Sequence, residues 1–134
     1  MEAKSFLEGR FSDPSKSPEA HLLQGFKGQI EGIRDLLDFG ASLRRVNSND
    51  IDGWERELRS ILKEINRLRH TSSIDSLLDS SDAVRKWIEK ALDHFYVASD
   101  ILQKKGTIKE REKFYEKLRA SSQCLSKALE YFLV

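Results

Sequence analysis

The chain has 134 residues, of which 39% are hydrophobic and 34% are charged, and it contains a single Cys. This length suits one domain with its own hydrophobic core, and the composition is too apolar for a disordered chain. The 23 basic and 22 acidic side chains leave a net charge of +1. That balance excludes a protein-wide electrostatic attraction to nucleic acid or membrane, although it allows a local patch. One cysteine excludes an internal disulfide framework and a multi-cysteine metal cluster.

Targeting and membrane signals are missing from the sequence. No apolar run approaches the roughly 18 residues of a membrane span, and the first residues lead into no signal-peptide core. We therefore expect a soluble, intracellular protein of the cytoplasm with no membrane partner.

Residues 1–17 differ from the rest of the chain. A short apolar patch, formed by Phe6, Leu7 and Phe11, is followed by a run of Ser, Asp and Pro that is typical of a linker. Ser17 before Pro18 is a good helix start, because a capping hydroxyl precedes a residue whose missing N–H costs nothing there. We predict a flexible N-terminal arm and linker over 1–17 and a single domain over 18–134.

Four segments beyond the arm repeat one apolar rhythm, with alternating spacings of three and four residues. This is the pattern of a helix with one buried seam, and no segment shows the period-2 alternation of a strand. The predicted helices cover 18–46, 49–71, 81–105 and 107–133, and their connections are short enough to make neighbours antiparallel. The sequence therefore predicts an all-α, antiparallel up-down-up-down four-helix bundle with a short N-terminal arm.

The third and fourth segments fit each other in size. If they fold back about Gly106, Ala98 falls near Phe114, Phe95 near Leu118 and Ala91 near Ser121. Small residues then face large or small ones, so the two seams can interdigitate. Three tyrosines flank these seams, and we expect each ring to be half-buried with its hydroxyl in water. They are Tyr96, Tyr115 and Tyr131.

Residue patterns that carry catalysis are missing. The histidines, His21, His70 and His94, lie on three predicted helices, and none has an acidic residue three positions before it, as di-iron bundles require. Cys124 has no sequence neighbour that would make it a nucleophile, and we interpret it as a packing residue. The stretch from Ser48 to Gly53 resembles the start of a calcium loop, but Arg59 occupies the position of the essential Glu. We expect no enzyme activity, no cofactor, no metal and no small-molecule substrate.

The second helix carries a basic stripe opposite its apolar seam. Its members lie three or four residues apart and so repel one another. They are Arg56, Arg59, Lys63, Arg67 and His70, with Arg44 and Arg45 as a candidate extension. The stripe can contact nucleic-acid phosphates or an acidic protein, or it can simply be a solvated face.

The first helix carries a second apolar stripe, away from its bundle seam. Its members are Gly25, Gly28, Gly32, Leu36, Phe39 and Leu43, and the pattern extends to Val46. Glycine inside a helix costs roughly 1 kcal/mol against alanine, so the three glycines suggest that something approaches the backbone closely. Three candidates could cover this stripe: a broad contact within the chain, the N-terminal arm folding back, or a second chain.

These observations favour a non-enzymatic helical bundle that acts as a protein–protein interaction or assembly module. Its partner would be another protein or a second copy of the chain, an adaptor-like role. The alternative is a small helical subunit of a nucleoprotein complex that contacts phosphates through the basic face of the second helix. The fold alone does not choose between them, because bundles host many functions.

Overall fold

The computed structural model describes residues 18–68, 78–104 and 107–133. Four helices make up this part of the chain: α1 (Pro18–Leu43), α2 (Ser48–Leu68), α3 (Ser81–Gln103) and α4 (Ile108–Leu129). The described residues contain no β-strand, only an isolated antiparallel bridge between Leu78 and Phe132 that ties the start of α3 to the end of the chain. The predicted all-α four-helix bundle is confirmed.

Contacts between the helices show which of them are neighbours. The buried hydroxyl of Ser121 on α4 donates to the carbonyl oxygen of Ala91 on α3 at 2.9 Å, which confirms the predicted pairing of these two residues. Trp54 and Phe95 join α2 to α3, with their ring centroids 6.2 Å apart. The pairing of α3 with α4 is the most extensive in the bundle, and that of α1 with α2 is the least extensive of the neighbouring pairs.

The predicted seams form the core. Apolar side chains from all four helices meet in one buried cluster, which also includes Leu78 and Phe132. The largest fully buried side chains are Phe95, Leu23, Ile30, Leu37, Ile51, Leu58, Ile61, Ile65, Ile88, Leu118 and Leu125. Tyr115 and Tyr131 are half-buried against this core, as expected. The expectation for Tyr96 is wrong, because its side chain is 73% exposed on the outer side of α3.

The first connection is tighter than the sequence suggests. α1 ends at Leu43 rather than near Val46, because Arg44 takes a left-handed conformation with φ of 55°. The amide of Arg45 then donates to the carbonyl of Gly40 at 2.9 Å and that of Arg44 to Ala41 at 3.2 Å, which is the Schellman termination.

Side chains cap the helices that follow. The Asn47 side chain accepts from the amide of Asp50 at 2.9 Å, and the Asp50 carboxylate accepts from the amide of Asn47 at 3.0 Å. This reciprocal capping box starts α2. Thr107 caps the start of α4, with its hydroxyl accepting from the amide of Glu110 at 3.4 Å. The N-terminal arm, Ser17, residues 69–77 with His70, and Gly106 lie outside the described residues.

Candidate interaction surface

The second apolar stripe of α1 lies on the outside of the bundle. We call Gly25, Gly28, Gly32, Leu36, Phe39 and Leu43 the α1 stripe. Its three large side chains are among the most exposed apolar groups of the described chain: Leu36 is 56% exposed, Phe39 66% and Leu43 50%. The buried seam of the same helix, which includes Leu23, Ile30 and Leu37, packs into the core on the other side.

The glycine half of the α1 stripe is open. A Cβ atom added to Gly25, Gly28 or Gly32 would meet no heavy atom within 4 Å outside the local helix backbone. Within the described residues, therefore, no other element makes the close approach that the glycines suggest. Of the three candidates for covering the α1 stripe, a contact with another element of the described chain is not formed. The N-terminal arm lies outside the described residues, and a second chain stays a prediction.

Val46 does not extend the stripe, so that part of the prediction is wrong. Its side chain is buried. The chain reverses at Arg44 and brings Val46 back over the last turn of α1, where its Cγ2 atom would lie 2.7 Å from a Cβ added to Gly40. Gly40 is thus the glycine of α1 that receives a close neighbour, and it belongs to the buried side of the helix.

Polar contacts lie on the flank of α1 that faces α4. The Ser122 hydroxyl on α4 donates to the Asp38 carboxylate at 2.6 Å. Arg34 donates to the Asp35 carboxylate at 3.2 and 3.3 Å. These contacts limit the α1 stripe on this side.

The predicted basic stripe of α2 is also on the surface. We call Arg56, Arg59, Lys63 and Arg67 the α2 basic face; each is exposed, and His70 lies outside the described residues. Arg67 donates to the Glu64 carboxylate at 2.8 and 3.0 Å, so its charge is partly balanced. Arg59 lies near Glu55. The pKa of Glu55 is raised overall, mainly by burial and also by Asp52, while the charge of Arg59 opposes this shift.

Arg44 does not extend this basic face. Its guanidinium pairs with the Glu112 carboxylate on α4 and lies 5.4 Å from the centroid of the Tyr115 ring. The hydrogen bond from Arg44 lowers the pKa of Glu112. Arg44 is therefore directed to α4, whereas Arg45 is exposed in the turn before α2.

Within the described ranges, burial shifts the pKa of one nucleophilic side chain and of one imidazole. Cys124 is buried, and burial raises the pKa of its thiol, which is the opposite of what an activated cysteine needs. His94 is half-buried on α3, and burial together with Lys117 lowers its pKa. In the part of the chain that the structure covers, no group of three or more His, Cys, Asp or Glu side chains could hold a metal ion.

Comparison with models of known families, with curated proteins and with solved structures finds no match. Among the described helices, none combines the length and the apolar character that crossing a bilayer requires. The fold therefore defines the class, an all-α four-helix bundle, and the two exposed stripes are the features from which a function can be argued.

Proposed function

We propose that this bundle is a non-enzymatic protein–protein interaction or assembly module, and that the α1 stripe is its binding surface. The observation that carries the proposal is the exposure of Leu36, Phe39 and Leu43 along one side of one helix. Fully burying an exposed side chain of this kind is worth about 1.5–3 kcal/mol, and each of the three has the half to two-thirds that is still exposed to gain. A second surface that covered all three would gain a large part of the free energy of a specific contact, and exposed apolar patches mark such sites.

The three glycines of the α1 stripe leave the backbone of the helix accessible. Because no side chain of the described residues covers Gly25, Gly28 or Gly32, a partner could approach the α1 backbone there. Each glycine weakens the isolated helix by roughly 0.5–1 kcal/mol relative to alanine. A close contact at this surface is a physical reason for retaining them.

A binding experiment tests the proposal on the full chain. A tagged wild-type bait is compared with Leu36→Asp and Phe39→Asp in extract from the native cell, supplemented with an untagged copy of the chain. We expect the wild type to retain a protein or the untagged copy and both variants to lose it, because a carboxylate in the contact would be desolvated without a partner.

The matched control is Tyr96→Asp, which replaces a still more exposed side chain on α3, the helix diagonal to α1. It should retain the partner. Leu36→Asp should also keep the thermal unfolding curve of the wild type at low protein concentration, whereas Leu37→Asp, one residue later and fully buried, should not fold. Equal retention by the wild type and both stripe variants would contradict the proposal.

The α2 basic face supports the second candidate, a subunit of a nucleoprotein complex. Arg56, Arg59 and Lys63 are exposed, and none of them forms an ion pair with the described residues. If this candidate is correct, we expect the bait to lose its bound material after nuclease treatment, and we expect binding to weaken steeply as the salt concentration rises. Arg59→Glu combined with Lys63→Glu should abolish it, whereas Lys109→Glu with Lys113→Glu on α4 should not. Retention unaffected by nuclease and by the first pair excludes this candidate.

A further inference from the structure

The α1 stripe has two halves of opposite shape. Toward the start of the helix, Gly25, Gly28 and Gly32 leave a shallow open strip. Toward its end, Leu36, Phe39 and Leu43 project into solvent. Along the helix the steps are three residues and then four in both halves, so in an antiparallel pair, where the order of one copy is reversed, the projecting side chains and the gaps match to within one residue.

Two copies of α1 can place the projecting half of one stripe against the open half of the other. In an antiparallel pair related by a two-fold axis near residue 34, Leu36 of one copy faces Gly32 of the other. Phe39 then faces Gly28 of the other copy, and Leu43 faces Gly25. A two-fold axis repeats each contact, since residue i meets j and j meets i. All six projecting side chains of the pair therefore meet an open glycine.

We propose that the chain forms a homodimer in which two α1 stripes pack antiparallel about this axis. The inference rests on the proposed function, since it names the partner of the same surface as a second copy of this chain. A parallel pair would place Phe39 against Phe39 and glycine against glycine, so the large side chains would hold the open halves apart. A parallel pair shifted along its axis, so that Leu36 meets Gly25, would fill the glycine half of one copy and leave the other unfilled, so only the antiparallel register fills the open halves of both copies.

The exposed apolar area limits the size of the contact between two copies. From their exposed fractions, Leu36, Phe39 and Leu43 present on the order of 300 Å² per copy, with full areas of roughly 150–250 Å² for large side chains. The three side chains of both copies together thus contribute on the order of 600 Å², which places the contact among the small, transient interfaces below about 1,200 Å². We therefore expect a weak dimer that forms as the protein concentration rises.

Charges make the register testable. In an antiparallel two-fold pair each flank of α1 meets the same flank of the second copy, so the Asp35 side chains of the two copies lie close to the axis. Arg34 holds each Asp35 carboxylate within its own chain, which reduces but does not remove the repulsion. Asp35→Asn should consequently tighten the dimer, whereas a parallel pair, in which Asp35 faces the neutral opposite flank, would show no such gain.

Cross-linking tests the arrangement directly. In the full chain with Cys124→Ala, an Asp35→Cys variant places two cysteines about 6 Å apart between Cα atoms when the helices pack about 8 Å apart, within disulfide reach. A Gly25→Cys variant places them about 27 Å apart along the axis at a rise of 1.5 Å per residue. Mild oxidation should link the first and leave the second unlinked, and Tyr96→Cys on α3 controls for random collision.

Sedimentation of the untagged full chain gives the matching equilibrium test. The wild type should dimerise with rising concentration, and Gly28→Leu should weaken this about tenfold or more because it fills the gap that receives Phe39. Gly53→Leu on α2, where an added Cβ also meets nothing within 4 Å, is the matched control and should dimerise as the wild type does. The exchanged pair Gly28→Phe with Phe39→Gly should restore the dimer.

A wild type that remains monomeric up to several hundred micromolar, or equal cross-linking at positions 25, 35 and 96, would overturn the homodimer. If the stripe-dependent retention of a different protein persists in that case, only the identity of the partner is wrong. If that retention is also missing, the interaction module itself is overturned.

Discussion

Glycines of α1 occupy two different environments. Gly40 is buried, and an added Cβ would lie 2.7 Å from the Cγ2 atom of Val46, a short branched side chain with little freedom to move away. Gly28 and Gly32 face open space. At Gly40 the missing side chain is required by packing in the chain itself, whereas at the other two positions the described chain does not require it.

Alanine substitutions separate these environments. Gly28→Ala should stabilise the monomer by about 0.5–1 kcal/mol, because alanine restricts the unfolded chain and the folded chain has room for the methyl group. Gly40→Ala should destabilise it by about 1–2 kcal/mol, since overpacking against Val46 outweighs the helix propensity. Urea unfolding at low protein concentration measures both, and a Gly40→Ala chain as stable as Gly28→Ala would refute the explanation.

The helices end through local side-chain and backbone bonds, and the end of α1 is the most unusual of these. Arg44 takes the left-handed conformation that glycine normally occupies in a Schellman termination. Its side chain is held by Glu112 and lies over Tyr115, both on α4. A contact between helices thus offsets an unfavourable backbone conformation at one residue.

Replacing Arg44 tests this balance. Arg44→Ala keeps the left-handed backbone and loses the contacts with α4, so it should lower the free energy of unfolding. Arg44→Gly loses the same contacts and gains the preferred residue for that backbone, so it should be about 1 kcal/mol more stable than Arg44→Ala. Chemical denaturation compares the two variants. An alanine variant that is the more stable of the two would show that the backbone is not left-handed in solution.

At the scale of the whole molecule, the pairing of α3 with α4 is the most extensive packing, and His94 lies at its margin. Burial and the neighbouring Lys117 lower the pKa of His94, with a smaller lowering by Lys90 and an opposing effect of Asp93. The folded bundle therefore binds a proton at His94 less readily than the unfolded chain does. The stability that comes from neutral His94 is fully present above the unfolded pKa of about 6.5 and is lost as the pH falls below it.

This linkage predicts a pH dependence for the wild type. Between about pH 7.5 and pH 5.5, the free energy of unfolding should fall as the unfolded chain takes up the proton. A His94→Gln variant cannot take up this proton and should show a shallower fall over the same range. Urea titrations at a series of pH values measure the slope, and identical slopes for the two proteins would contradict the role of His94.

The seams and the caps could be predicted because they depend on spacing along single helices. The partner of Ser121 could be predicted because the short connection between α3 and α4 sets the register of the two helices. Leu23, Ile30 and Leu37 recur at the period of one helix face, and Thr107 with Glu110 forms a local cap. Val46 and Arg44 could not be placed in this way. Their positions follow from the left-handed conformation of Arg44. The sequence does not indicate this conformation, because glycine is the residue expected there.

The sequence by itself determined the all-α class, the helices and the side of each helix that is buried, because helical periodicity and capping are local properties. Only the tertiary structure decided which apolar residues stay uncovered. Leu36, Phe39 and Leu43 follow the same helical period as buried residues, and their exposure depends on where α2 and α4 lie around α1. Likewise, Arg44 pairs with Glu112 on α4 and does not join the α2 basic face, because packing between helices sets the direction of the chain after α1.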